Sequence, residues 1–115
     1  MSVKFLDEVV ATTKKAIANS HVQVSPGSLP HLPYEQMHLY GADAGDDYAR
    51  TAIDALEDGI KDYAECKQTR LDIRVPAGGK AARAAMQKAF EELLVGFRVT
   101  VSGGRLSVDW KSHVG

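Results

Sequence analysis

Two glycines near the C-terminal end constrain the fold more than any other feature of this sequence. On both sides of Gly103-Gly104, apolar residues alternate with polar ones, which is the period of a half-buried β-strand. Because both glycines easily reach positive φ angles, they suit the two-residue turn of a hairpin. A slip of one residue would break every apolar pair, so the pattern specifies one register. In that register, three apolar cross-strand pairs share one face: Phe97–Trp110, Val99–Val108 and Val101–Leu106.

The hairpin closes a longer stretch, residues 69–111, that predicts a β-α-β-β core. Residues 69–75 alternate in the same way and predict a strand, which the Pro-Ala-Gly-Gly sequence at 76–79 ends. Residues 80–94 then carry apolar side chains at helical spacing. Because this helix is long enough to return the chain parallel to the first strand, we expect a mixed sheet.

Two further helices are predicted before this core. The first occupies residues 1–20, with Ser2 as its N-cap, and the second runs from about Asp43 to Cys66. Both are amphipathic, with apolar residues on one stripe. The predicted fold class is therefore α+β. It is a two-layer sandwich in which two long helices pack on a mixed sheet with a C-terminal β-hairpin, with an extra N-terminal helix.

The length of the chain predicts a single domain, residues 1–115. Its apolar fraction of 44% and charged fraction of 25% are those of ordinary globular proteins. Its one cysteine, Cys66, excludes an internal disulfide and fits a reducing compartment. No apolar run approaches the roughly 20 residues that span a bilayer. We therefore expect a cytoplasmic protein without membrane contact.

Charge is divided unevenly along the chain. Residues 1–66 carry five Lys or Arg against eleven Asp or Glu, whereas residues 67–115 carry nine against four. Such a division suggests a charged partner or self-association. It is explained equally well if the acidic helix lies beside the basic half and offsets its charge.

Five cations should point away from the helices, because four of them alternate with the apolar residues of the strands and the fifth continues this pattern past the last strand. A basic sheet surface attracts phosphate backbones or an acidic protein surface. This one lacks an aromatic side chain on which bases would stack. The alternative is a solvated surface with cross-strand ion pairs such as Arg98–Asp109. The candidate nucleic-acid-binding residues are Arg70, Arg74, Arg98, Arg105 and Lys111.

The N-terminal helix and the proline-rich loop are candidate contacts for a protein partner. The helix has apolar residues at three-four spacing, which suits a second helix, including that of another copy in a homodimer. The same pattern serves a helix docked on its own domain. The loop, residues 25–45, holds three of the four prolines, and loops of this length are often functional. The candidate partner-binding residues are Val3, Leu6, Val10, His31, Tyr34, His38 and Tyr40.

A weaker hypothesis places an anion at Gly78, Gly79 and Lys80, between the first strand and the helix of the core. Backbone amides at the start of a helix attract anions, and a lysine beside them adds to this effect. The stretch is not a P-loop, because Ala81 stands where a Ser or Thr would bind magnesium. The alternative is a tight turn whose backbone requires glycine.

No catalytic chemistry is indicated. The histidines and aspartates lack the spacing of a metal site, and a helix C-terminus, where Cys66 lies, disfavours a thiolate. We therefore expect no metal, no cofactor and no enzymatic activity. The sequence favours a small interaction protein that binds a protein partner through its N-terminal helix, its proline-rich loop or a charged face. The alternative is a nucleic-acid-binding module that uses the basic sheet surface.

Overall fold

The computed structural model describes residues 4–19, Leu32 and residues 38–114 of the chain. The described part is α+β, which confirms the predicted fold class. None of its helices is both long and apolar enough to cross a membrane. The elements in chain order are α1 (Lys4–Ala18), β1 (His38–Leu39), α2 (Gly41–Glu65), β2 (Arg70–Arg74), β3 (Ala77–Gly78), α3 (Lys80–Leu93), β4 (Arg98–Ser102), β5 (Arg105–Asp109) and α4 (Lys111–Val114).

The C-terminal hairpin has the predicted register. Val99 lies opposite Val108, and Val101 lies opposite Leu106. The turn between β4 and β5 consists of Gly103 and Gly104, with φ angles of 55° and 79°. Residues other than glycine rarely adopt positive φ angles, so the two glycines allow a tight turn between the strands.

Parallel and antiparallel pairings occur in two separate sheets, which corrects the expectation of one mixed sheet. The three-stranded sheet has the order β2-β5-β4 and is antiparallel throughout. The parallel pairing joins the short strands β1 and β3. Strands β2 and β4 run in the same direction, as a helical crossover requires, but β5 lies between them and pairs with both. The expectation was wrong because it placed β4 directly beside β2. In the structure β5 occupies that position, so β2 and β4 do not pair.

Helices α2 and α3 cover one face of the three-stranded sheet and share its core. The two helices approach closely at Gly45, where a Cβ atom would lie 2.1 Å from the backbone oxygen of Ala82. Only glycine permits this distance, because real Cβ atoms do not approach backbone atoms so closely. The core between the layers includes Leu56, Ile60, Leu71, Ile73, Met86, Phe90, Val99, Leu106 and Val108.

Helix α1 is joined to this core by a buried hydrogen bond. The indole Nε1 of Trp110 donates to Oγ1 of Thr13 over 2.9 Å, and both side chains are fully buried. The Thr13 hydroxyl in turn donates to the backbone oxygen of Val9, also over 2.9 Å. The ring of Phe97 lies between those of Trp110 and Phe5, with centroids 6.0 and 5.7 Å away. Helix α1 is therefore part of the domain core.

We predict that Thr13→Val destabilises the protein by about 1–3 kcal/mol, because valine keeps the shape but leaves the buried indole N–H without an acceptor. Thr12→Val is the matched control, since the Thr12 hydroxyl also donates to the oxygen four residues earlier, that of Glu8, over 2.8 Å but at the surface. The control should change the free energy of unfolding by less than about 0.5 kcal/mol. Urea unfolding followed by the fluorescence of the single tryptophan measures both, and equal effects would contradict the prediction.

Candidate functional site

The surface of the three-stranded sheet that faces away from the helices is charged and accessible. We call it the open face and define it by nine residues, each of which is exposed or half-buried. Their apolar neighbours in the same strands point to the core, as the period of two requires. Lys111 lies beyond the end of β5, at the start of α4, and is also exposed. The open face consists of Arg70, Asp72 and Arg74 of β2, Arg98, Thr100 and Ser102 of β4, and Arg105, Ser107 and Asp109 of β5.

Strand pairing arranges the open face in three rows of three residues. The first row is Arg70, Asp109 and Arg98; the second row is Asp72, Ser107 and Thr100; the third row is Arg74, Arg105 and Ser102. The formal charges of the rows are therefore +1, −1 and +2. Positive charge is greatest in the third row, beside the hairpin turn.

Arg70 of the first row and two residues of the second row, Asp72 and Ser107, form one hydrogen-bonded cluster on the open face. Nε of Arg70 lies 3.2 Å from Oδ1 of Asp72, and its Nη2 donates to Oγ of Ser107 over 2.8 Å. The Ser107 hydroxyl donates to the same Asp72 oxygen. The hydrogen bond from Ser107, followed by the hydrogen bond and charge of Arg70 and the charge of Arg105, holds the pKa of Asp72 below its ordinary value although partial burial opposes this. The guanidinium of Arg70 is therefore already occupied.

In the first row, the carboxylate of Asp109 has a local role. Its Oδ1 accepts a hydrogen bond from the backbone N–H of Lys111 over 2.8 Å, in the turn that leads into α4. Arg98 lies directly opposite Asp109, but no ion pair within residues 38–114 joins them. The Arg98–Asp109 ion pair of the alternative interpretation is thus not formed among the described residues, and the carboxylate caps the chain after β5 instead.

The third row has no internal balance of charge. Arg74 and Arg105 are directly opposite each other on β2 and β5. Neither forms an ion pair or a side-chain hydrogen bond with any residue that the structure describes. A shallow depression of about 360 Å³ adjoins the row and is lined by Arg70, Asp72, Thr100, Ser102, Arg105 and Ser107. Two guanidinium groups are therefore available to an anionic ligand.

The candidate contacts on α1 divide between core and surface. Leu6, a predicted partner contact, is only 6% exposed and lies against Gly96 of its own domain, and its contact with a partner stays a prediction. Val10 is half-buried at a depression of about 300 Å³ that His113 also lines. Ile17 is 50% exposed, whereas Val3 lies outside the described residues. The apolar stripe of α1 is thus used mainly for docking on α2 and α4.

Two of the predicted loop residues form an exposed aromatic pair. The rings of His38 and Tyr40 lie 4.7 Å apart between centroids, and Tyr40 is 81% exposed. His31 and Tyr34 fall outside the described residues, as does most of the proline-rich loop. The pair is exposed because Leu39, between them, points into the core.

The structure brings this pair beside the predicted anion site. Parallel pairing places His38 opposite Ala77 and Leu39 opposite Gly78. Helices α2 and α3 begin directly after these strands, so their N-termini lie side by side, and neither is capped by a side-chain hydrogen bond. Gly78 has a packing role, since a Cβ atom there would lie 3.1 Å from the oxygen of Leu39. Gly79 meets nothing within 4 Å, and Lys80 is exposed.

The helix layer carries the acidic charge. Exposed carboxylates follow the outer side of α2. Glu57, beside them, is half-buried, and this burial together with the charge of Asp54 raises its pKa. Because α2 covers the core side of the sheet, these carboxylates lie on the opposite layer from the open face. The exposed acidic residues are Asp54, Asp58, Asp62 and Glu65.

Comparison with known proteins adds no relative. No protein-family model, no curated protein and no solved structure matches the chain. Within residues 4–19, Leu32 and 38–114, no group of three or more His, Cys, Asp or Glu side chains is placed to hold a metal ion. The function is therefore inferred from the surfaces alone.

We predict that Ser107→Ala raises the pKa of Asp72 towards its ordinary value of about 3.9, because it removes the hydrogen bond that lowers this pKa most. A lowered pKa in the folded state stabilises the protein above the ordinary value, and this stability is lost as the pH falls through the folded-state pKa. The variant should therefore show a smaller loss of stability below about pH 4.

The carboxyl ¹³C shift of Asp72, followed against pH, measures this change directly. Ser102→Ala is the control, because Ser102 lies on the same face but in another row. An unchanged pKa in Ser107→Ala, or the same change in Ser102→Ala, would contradict the assignment.

Proposed function

We propose that this chain is a non-enzymatic interaction protein whose open face binds an acidic segment of a protein partner. The observation that supports the proposal most strongly is the third row, in which Arg74 and Arg105 lie opposite each other without a balancing carboxylate. A partner with acidic side chains would supply that balance. Arg98, at the other end of the face, would add a second positive contact.

The open face is better suited to binding a protein partner than the apolar stripe of α1 is. The open face is built on strands whose register the core fixes, so its arginines keep their spacing before a partner arrives. The apolar stripe of α1 is largely occupied within the domain, and Leu6 is buried there. For this reason we do not extend the proposal to a homodimer through α1. The single cysteine agrees with a role in the cytoplasm.

We predict that the triple variant Arg74→Ala, Arg98→Ala, Arg105→Ala loses the partner while keeping its fold, because all three side chains face solvent. The matched control, Lys14→Ala, Lys15→Ala, Lys88→Ala, removes the same charge from exposed positions on α1 and α3. Each protein is used as bait in a nuclease-treated lysate of the source cells, and bound proteins are quantified by mass spectrometry. Acidic proteins that bind the wild type and the control, but not the face variant, are the expected result.

The proposal would be abandoned if no protein depended on the three arginines. Circular dichroism and tryptophan fluorescence must first show that both variants are folded. Recovery of partners that require only α1 would instead return the interaction surface to the helix.

A nucleic acid is the second candidate, because the same arginines would contact phosphates. Single strands are disfavoured, since the open face has no aromatic side chain for base stacking. If duplex DNA binds, each phosphate contact should add about 0.9 to the slope of log affinity against log salt. Removal of Arg74 and Arg98 should then lower this slope by about 2. A gel shift at about 50 mM salt that shows no binding to DNA or RNA removes this candidate.

A further inference from the structure

We infer that the third row, Arg74, Arg105 and Ser102, is a binding site for a phosphomonoester, the group carried by phosphorylated serine or threonine. The inference rests on the proposed function, because the phosphoryl group would belong to the acidic segment of the protein partner. It goes further in naming both the position of the contact and the chemistry that fills it. The position of the contact is inferred from the strand pairing, and the phosphoryl chemistry is inferred from the charge of the row.

Arg74 and Arg105 form a non-hydrogen-bonded antiparallel pair, the kind in which the two Cα atoms are closer together. The backbone N–H of Val75 donates to the oxygen of Gly104 over 2.9 Å, and that of Trp110 donates to the oxygen of Thr69 over the same distance. Hydrogen-bonded pairs therefore fall on the odd-numbered residues of β2, which makes Arg74–Arg105 a pair without ladder hydrogen bonds. In such pairs the Cα atoms are about 4.5 Å apart.

Like charges at this spacing oppose folding unless a counter-charge is near. Asp72, the carboxylate of the neighbouring row, interacts with Arg105 by charge but accepts its hydrogen bonds from Ser107 and Arg70. The row thus retains an excess of positive charge at one end of the sheet. An anion held between the two guanidinium groups would replace this repulsion with two charge-assisted hydrogen bonds.

The charge of the row distinguishes among anions. A carboxylate and a phosphodiester each bring a single negative charge, whereas a phosphomonoester brings about −1.5 to −2 at neutral pH. The third row has a charge of +2, so the monoester matches it most closely. The donors match as well, because two guanidinium forks and the hydroxyl of Ser102 face a group with three terminal oxygens.

Three small probes test this choice on the intact ¹⁵N-labelled protein. N-acetyl-O-phosphoserine amide represents the monoester, dimethyl phosphate the diester of a nucleic acid, and acetate the carboxylate. We expect the monoester to shift the amide signals of Arg74, Ser102 and Arg105 and to bind about tenfold more tightly than the other two. Acetate that binds the row as tightly overturns the inference but leaves the proposed function intact. Dimethyl phosphate that binds as tightly overturns it in favour of nucleic acid.

Single substitutions locate the site. Arg74→Gln and Arg105→Gln should each weaken monoester binding about tenfold, the expected loss for one charge-assisted contact. Lys88→Gln is the control, since Lys88 is also an exposed cation but lies on α3, in the layer opposite the open face. It should change the affinity less than about twofold. Equal losses in all three variants would show a diffuse attraction to positive charge and overturn the site.

Absence of any shift with the three probes also overturns the inference. In that case the capture experiment with the triple variant still decides the proposed function, because it requires no phosphoryl group. Failure of the site and failure of the proposed function are thus separate results.

Discussion

The hydrogen bond between the Trp110 indole and the Thr13 hydroxyl holds together parts of the chain that are far apart in sequence. Trp110 follows β5 directly, so its ring extends the apolar face of the hairpin, and Thr13 lies in the middle of α1. A buried indole N–H needs an acceptor, and the hydroxyl supplies it while bonding the backbone of its own helix. Helix α1 is thereby fixed against the end of the sheet, and most of its apolar stripe packs within the domain.

The same hairpin determines the two opposite faces of the sheet. Alternation along β4 and β5 sends Val99, Leu106 and Val108 to the core, and the residues between them form the open face. A different register would bury arginines without partners, which is far more costly than exposing a valine. The arrangement of charge on the open face is therefore a consequence of core packing. Its rows keep their geometry for as long as the core stays folded.

Sequence reasoning succeeded where the physics is local. The hairpin register, the bounds of α3 within one residue and the apolar stripe of α2 all follow from periodicity. It failed where the outcome depends on distant residues. Periodicity indicates which face of a strand is buried, but it does not indicate which strand pairs with it, so the position of β5 between β2 and β4 was not predicted. The sequence gives no sign that the hydroxyl of Thr13 is buried, because its burial depends on the approach of Trp110 from the other end of the chain. The three rows of the open face were likewise invisible, because they require the pairing of β2 with β5.

Positive and negative charges are separated between the sheet layer and the helix layer, so the open face is positively charged although the chain is nearly neutral. The chain is nearly neutral, with a formal net charge of −1, but the carboxylates of α2 and the arginines of the sheet lie on opposite sides of an apolar core. Charges separated by about 10 Å are largely screened at physiological salt, so a ligand close to one layer is influenced little by the other. Within the open face, the Arg70–Asp72–Ser107 cluster and the capping role of Asp109 neutralise most of the first and second rows. The pair Arg74–Arg105 then carries two adjacent positive charges without an ion pair among the described residues, so an anionic ligand is drawn to it more strongly than to the single charge of Arg98.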